Sequence, residues 1–564
     1  MKPSPLLVAF ALLLCLLAHP AQAQAPSDSA RRYFVFFRDK ASTPFRVSQP
    51  EEFLSARALA RRARQGIAVR ARDLPVSPAY LSQVRAVSGG PRVLFTSRWL
   101  NGAVVVGDSV TLDRVAALPA VAGTQLLSLR APGTSTPAPA VVPTPTPPVP
   151  ASPRARYGRA FAQNQLIGAV ALHQAGFQGQ GMQIAVFDAG FPGVDQITTL
   201  QNLRAPGRLL GTRNFVDGGQ SVFLRAGHGT ACLSTMAGEL PGYYVGTAPG
   251  ADYHLCLTED AGTESPVEEA NWLAAAEYAD SAGVDVISSS VGYTMFDLRR
   301  LSHTYADLNG RTTIASRAAL GAARVGMLVV VSAGNDGNQS WRYIGAPADA
   351  DSIISVGAVD SLRNRAGFSS YGPTADGRIK PTLAAMGVAS AVLTPSGFVV
   401  RGNGTSYACP ELAGLAAAFW QANPALSAQQ VLLALRNSGS QVQNPDNSLG
   451  YGIVDGVRAL SLPQAPLAAA PPVAVAEEEL RVYPNPSQGQ ALLLALPLAW
   501  RGQALRVEVL DGRGRLVTSQ RVAAGGGASV SLGLPAGGLA PGVYAARVRP
   551  AGGGAARTAR FVVE

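Results

Sequence analysis

The chain has 564 residues, 47% of them hydrophobic and 15% charged, with four cysteines and a formal charge of +11. Its length calls for two to four domains, and the apolar content excludes global disorder. Lys+Arg stand against Asp+Glu as 16 to 7 over 26–150 and 10 to 6 over 477–564, but as 20 to 23 over 151–476. The excess thus sits on the flanks, whereas a nucleic-acid binder would concentrate it in its main domain among aromatics; no nucleic-acid partner is expected.

In chain order, Lys2, an apolar run from Leu6 to Leu17, and Ala21-Gln22-Ala23 or Ala23-Gln24-Ala25 predict a secretory signal peptide over 1–25. Leu14 precedes Cys15 where a lipoprotein site needs a small residue. No later stretch reaches the roughly 20 apolar residues of a membrane helix, so the mature protein is expected to be exported and soluble, without a membrane span. Only Cys232, Cys256 and Cys409 then remain. They form neither a disulfide framework nor a zinc motif.

The proline-rich stretches 131–153 and 463–479 read as extended linkers. They predict a domain over 26–130, a linker over 131–156, a main domain over 157–461, a linker over 462–478 and a last domain over 479–564. In the first domain RRYFVFFRDK is strand-like and LNGAVVVGD a buried strand. SARALARRARQGI has helical spacing, its arginine-rich face read as solvated, and SVTLDRVAALPAVAG is a helix ending at proline. That order suits a small α+β sandwich. The main domain alternates apolar strands such as MQIAVFDAG, DVISSSVG and MLVVVSAGN with Ala-rich helices, which predicts a parallel sheet covered on both faces. Ligands in such a sheet bind beyond the carboxyl ends of the strands, where Asp188, Ser290-Val291-Gly292 and Asn335 fall.

A serine hydroxyl becomes a nucleophile only with an imidazole to take its proton, a carboxylate to orient that imidazole and donors for the oxyanion. Of the five histidines, His19 lies in the signal, and His173, His254 and His303 have no distinctive setting. His228 sits between glycines in RAGHGTACLSTMAG, and Ser406 lies in GNGTSYACP. Alone, the first fits a structural histidine and the second a helix cap as well as they fit catalysis.

Asp188 in IAVFDAGF, His228 in GHGT, Asn335 in SAGNDG and Ser406 in GTSYACP resemble, in this order, the four catalytic blocks of the subtilisin family of serine proteases. YVGTAPGADY, VISSSVG, FSSYGP and YGIVDG are similar too, so the resemblance covers about 157–461. An α/β-hydrolase would run Ser, acid, His and needs glycine where this chain has Ala408. The resemblance implies an α/β fold, a parallel-sheet catalytic domain with helices on both faces. It makes Ser406 the nucleophile, His228 the general base and Asp188 its orienting carboxylate. Asn335 would bind the oxyanion, Ser290, Val291 and Gly292 would pair with an extended substrate, and Ala333 and Gly334 would wall the pocket before the scissile bond. Gly345 matches that pocket's floor, where a glycine suggests room for a large apolar side chain.

Residues 31–130 resemble the inhibitory propeptide of such proteases. LRVYPNPSQG and the segments after it resemble the C-terminal sorting domain of type IX secretion substrates, a small β-sandwich with a hairpin at Asp511-Gly512. A secreted, autoprocessed serine endopeptidase of a Gram-negative bacterium is therefore expected, extracellular or at the cell surface. Its partners would be protein or peptide substrates, its own propeptide and the type IX machinery. It is expected to be monomeric and to need no cofactor for chemistry, with structural calcium left open. The alternatives are a non-peptidase serine hydrolase, a catalytically silent adhesion protein on the same fold, and a generic binding module for the tail.

The chain departs from the family pattern at Tyr407 and Cys409, at Thr382 and Met386 in KPTLAAMG, and in the insertion-like segment 293–313. In that segment Asp307 and Asn309 are weak calcium ligands, and a surface loop is the plainer reading. Pro410 is placed in the first turns of its helix, where a missing N–H costs little. Cys232, at i+4 from His228, is expected against the imidazole as a small buried hydrophobe.

Overall fold

Successive residues of the central strand point to opposite faces, and both faces are apolar. In β5 (Gln183–Asp188), Ile184 and Val186 enter one core while Ala185 and Phe187 enter another. That pattern requires a strand covered on both sides. The computed structural model describes residues 31–129, 141, 152–462 except 206 and 220, and 480–563 with short gaps. These fall into two units, divided between Gln464 and Ala465.

In the first unit β5 is central to a seven-stranded sheet with β6 (Leu209–Asn214), β7 (Asp252–Leu257), β8 (Val286–Ser289), β9 (Leu328–Ser332), β10 (Ile354–Val359) and β11 (Leu383–Met386). The strand order is β11-β10-β9-β8-β5-β7-β6, and every pair is parallel. The chain leaves β5 for one edge and returns to its other side at β8, so the crevice between these strands is the switch point at which ligands bind. One face carries the helices His228–Ala237, Thr405–Ala422 and Ala428–Asn437, and the other carries Val267–Ala282 and Ile314–Arg324. The expected α/β class and two-sided helical cover are both present.

The N-terminal domain is a four-stranded antiparallel sheet of β1 (Arg31–Phe37), β2 (Arg92–Ser97), β3 (Gly102–Gly107) and β4 (Val121–Ser128), ordered β2-β3-β1-β4. Val35, Phe37, Ala103 and Val105 pack under its own helices, whereas Phe34, Val104 and Leu127 join the core beneath Val267–Ala282 and Ile314–Arg324. Its other helix is α1 (Ala56–Arg64), capped by Ser55 accepting from Ala58 N. The expected solvated arginine face of α1 is overturned here. Arg61 and Arg62 are 0% and 1% exposed, and both bind Asp280 of the long helix Val267–Ala282. Arg98 donates to the same carboxylate at 2.7 Å, and Arg57 reaches Asp285 at 2.5 Å. Helical spacing shows which residues share a face but not what that face meets.

The proline-rich segment ends sooner than predicted: Ser152 caps a short helix Pro153–Tyr157, whose proline occupies the first turn, and Tyr157 is buried. The signal region, most of the first linker with its cleavage region, and 463–479 lie outside the described residues. In the second unit Leu505–Asp511 pairs antiparallel with Leu516–Val522, the expected hairpin, and with Gly542–Pro550. A second sheet of Arg481–Tyr483, Leu493–Ala495 and Ser529–Ser531 shares its core through Val482, Leu494, Val507 and Val548.

Candidate active site

Asp188 is the last residue of β5 and is fully buried. Its Oδ1 accepts from Ala189 N at 2.7 Å and from His228 Nδ1 at 2.7 Å. A carboxylate can only accept, so Nδ1 carries the proton and Nε2 is left as the base. His228 opens its helix, with its side chain 35% exposed. The glycine after it is a steric requirement: a Cβ at Gly229 would lie 2.4 Å from Gly190 O and 2.9 Å from Asp188 Cβ. The Asp188 charge raises the imidazole pKa well above its ordinary value, against the opposing effect of burial.

Ser406 is the second residue of the helix Thr405–Ala422 and is 7% exposed. Its N–H belongs to the unpaired donors of a helix N-terminus, which favour an anion. Gly404 precedes the helix at φ +157°, and a Cβ there would stand 3.7 Å from Ser406 Cβ and 3.8 Å from Asn335 Nδ2. A side chain at 404 would therefore stand against both Ser406 and the Asn335 amide. Asn335 is oriented by Thr405, whose N and Oγ1 donate to Oδ1 at 2.9 and 3.0 Å, so its Nδ2 faces away from that anchor. Ser406 Oγ donates weakly to Ser290 O at 3.5 Å and makes no hydrogen bond to His228 among the described residues.

Pro410 stands at the sixth helical position, in the second turn, past the four residues whose N–H groups have no helical partner, so the expectation that its missing N–H costs little does not hold. There its missing N–H would have bonded Ser406 O. That freed carbonyl instead accepts from Ser290 Oγ at 2.8 Å and Cys232 Sγ at 3.3 Å. Proline therefore turns the backbone of Ser406 into an anchor for two neighbouring segments. Cys232 lies as expected against the ring, its Sγ 3.8 Å from Nδ1 and 3.9 Å from Nε2, and burial raises its thiol pKa. Atoms of Asp188, His228 and Cys232 lie within 4.8 Å of one another, a donor set that a thiophilic ion could bridge. Tyr407 stands beside the imidazole, the ring centroids 6.2 Å apart.

The other predicted residues surround this centre. Val291 and Gly292 follow β8 with backbone groups unpaired among the described residues, the edge that an extended peptide needs. Ala333 is buried, and Gly334 has its N–H on Thr405 Oγ1 and its C=O on Ser370 N, so Gly334 offers surface and no free hydrogen bond. Gly345 is buried against Thr294, whose Cγ2 is 3.1 Å from an added Cβ. It does not line the cavity of about 550 Å³ next to Asn335, which Met295, Arg299, Asp336 and Trp341 enclose. Sequence reasoning missed those lining residues and the anchoring role of Thr405; only its place beside Ser406 hinted at the latter. His173, His254 and His303 bond to Tyr157, Tyr278 and Glu269 and take no part in the site. Asp307 accepts from Thr304 N and Oγ1, and Asn309 Oδ1 from Arg311 N, so both carry local turn bonds.

The family model described as the subtilase family matches residues 179–452, the span holding Asp188, His228, Asn335 and Ser406. Subtilisin DY of Bacillus licheniformis is 31% identical over 51% of this chain and 93% of its own length. The chain belongs to the subtilase family. Subtilisin Savinase of Lederbergia lenta is likewise 31% identical to this subtilase, over 51% of this chain and 94% of the relative. The crystal structure of MycP1 with the N-terminal propeptide removed aligns at 23% identity and a TM-score of 0.42, covering 54% of this chain and 98% of that one. Residues 32–138 match a peptidase S8 propeptide domain of Bacteroidota, and 481–564 match a secretion system C-terminal sorting domain. The subtilase is thus a subtilisin-like serine protease with a propeptide and a type IX sorting tail, secreted or surface-displayed by a Bacteroidota cell. No helix among the described residues is long and apolar enough to cross a membrane.

Proposed function

We propose that this subtilase is an endopeptidase that cleaves proteins and peptides through an acyl-enzyme on Ser406 and matures by its own action. The observation that carries this reading is the 2.7 Å bond between Asp188 and His228, with Ser406 and Asn335 facing each other across Gly404. Bound substrate would move Ser406 Oγ from Ser290 O onto His228 Nε2, since catalytic hydrogen bonds often form fully only in the substrate complex. Oγ then bonds the scissile carbonyl carbon as its proton passes to Nε2. Asn335 Nδ2 and the Ser406 N–H hold the oxyanion. The imidazolium gives that proton to the leaving nitrogen as the C–N bond breaks, and water, deprotonated by the same ring, releases the acyl group.

Val291 and Gly292 would hold the substrate strand. Residues 26–130 would act as the inhibitory domain and 479–564 as the segment read by the type IX machinery, joined by linkers at 131–156 and 462–478. The active form would be a monomer, with side chains and water sufficient for the chemistry. The test is Ser406→Ala: the full chain should accumulate uncut and fail to degrade casein. Mass spectrometry of the wild-type termini should find a new N-terminus between about residue 131 and residue 157. Processing of the variant in a protease-free host would refute self-maturation, and casein turnover by it would refute the nucleophile.

A further inference from the structure

Lys2, Lys40 and Lys380 are the only lysines among the 47 Lys+Arg of this chain. Every other cationic side chain from Pro153 onward is arginine, so lysine at 380 is not a general preference for a positive charge. Lys40 is fully used, its Nζ donating to the carbonyls of Arg72, Leu74 and Arg98 within 2.7 Å. Lys380 is 4% exposed, and its ammonium makes no hydrogen bond or ion pair among the described residues. Thr382, in the place where the resembled family more often has aspartate, spends its hydroxyl on Ser355 and on Ile353 O.

The unpartnered lysine lines a cavity of about 400 Å³ at the amino ends of β10 and β11, opposite the catalytic edge. Ile353, Leu432, Leu433 and the ring of Tyr451 give it apolar walls, and Asp351 and Arg436 also line it. Two further cations, Arg378 and Arg436, line the same cavity, and the carboxylates of Asp349, Asp351 and Asp376 stand near Lys380. Arg378 is paired with Asp376 at 2.9 Å, and Arg436 lies over the Tyr451 ring with Asp351 on the same cavity. Asp349 is buried and bonded to Ser316 Oγ and Gly310 N, with no ion pair to the lysine. Lys380 feels the charges of Asp349, Asp351 and Asp376 but is bonded to none of them, so its ammonium has an acceptor to gain, and the apolar walls beside it fit a carboxylate on an apolar body.

We propose that this cavity binds a monoanionic carboxylic acid with an apolar side chain, its carboxylate seated on Lys380. The site is separate from the catalytic centre and does not depend on the proposed reaction. Burial and neighbouring Arg378 bring the empty-site ammonium down to about 7. Binding of a carboxylate must therefore bring a proton with it above neutral pH, which arginine in the same place would not require.

N-acetylleucine titrated calorimetrically into the full chain carrying Ser406→Ala, from about pH 6 to about pH 9, tests this. Saturable binding is expected, with proton uptake above pH 7 and an affinity falling about tenfold per pH unit there. N-acetylleucinamide, which lacks the charge, should not bind, and Lys380→Met should abolish the heat. Lys380→Arg should bind without the pH dependence. Inorganic phosphate is the second probe: binding of phosphate without N-acetylleucine would overturn the apolar part of the proposal. No saturation at millimolar N-acetylleucine, or an unchanged titration in Lys380→Met, would overturn it altogether. Should Lys380→Met not fold, acetic anhydride labelling of the Ser406→Ala chain decides. N-acetylleucine should shield Lys380 and leave Lys40 unaffected, and equal labelling of Lys380 with and without it counts against the site.

Discussion

Replacing Asp280 by asparagine should loosen the propeptide far more than its distance from the catalytic residues suggests. Asp280 is fully buried, and its carboxylate is bound by Arg61, Arg62 and Arg98, the last two at 2.7 Å. Burial alone would raise its pKa, but Arg62, Arg61 and Arg98 outweigh this and hold the carboxyl below its ordinary value. Arg62 keeps Asp73 at 2.9 Å in the variant, whereas Arg61 and Arg98 lose the one carboxylate bonded to their guanidinium groups among the described residues. Breaking a buried pair from one side costs about 3–5 kcal/mol. At about 1.4 kcal/mol per factor of ten, that is roughly a hundredfold to a few thousandfold in affinity. The assay is inhibition of mature wild-type and Asp280→Asn enzyme by added propeptide, read on a peptide substrate. Arg64→Ala in the propeptide is the internal control. Arg64 is 54% exposed and only 3.9 Å from Asp285, so its loss should cost no more than about fivefold. An Asp280→Asn inhibition constant within about threefold of wild type would refute the buried-pair reasoning. Because the folded pKa is depressed, this contribution is present above the ordinary carboxylate value and is lost as pH falls below it, so neutral buffers should show it in full.

The raised pKa of His228 places the acid limb of kcat/KM above the ordinary histidine value: only the neutral ring is a base, so the rate rises with pH through the folded pKa. A profile already flat at pH 6 would contradict this. Asn335→Ala should lower kcat by about 10²–10³, the range established for the oxyanion asparagine of subtilisin, with KM little changed. Equal losses in binding and turnover would argue against an oxyanion role. A mercurial that reaches Cys232 should inactivate by displacing the ring 3.8 Å away, and Cys232→Ala should be resistant; full activity of enzyme shown to carry mercury on Cys232 would sink the idea.

The residues proposed for catalysis were readable because each lies where local chemistry leaves a mark: an aspartate ending an apolar strand, a histidine between glycines, a serine at a Gly-Thr helix start. Their order along the chain supplied the rest. What stayed illegible depended on partners far away in sequence. The arginines of α1 carried a helical period, but the carboxylate they seek is more than 200 residues on, at Asp280. Pro410 was visible, yet its effect on Ser406 O required knowing that Ser290 and Cys232 lie beside that carbonyl. The wall formed by Met295 and Trp341 comes from loops, whose side-chain placement no periodicity encodes.

The helix that begins at Thr405 buries 15 of its 18 residues, so Ser406 is mounted on an element packed along nearly its whole length. A serine on a surface loop could fray and return while the rest of the molecule stayed intact. Here, freeing Ser406 from its surroundings means withdrawing Leu412, Leu415 and Phe419 from the main core as well. Local opening at the nucleophile should therefore require nearly the whole unfolding free energy. Amide hydrogens of this helix should exchange as slowly as any in the protein, and thermal loss of activity should coincide with cooperative melting.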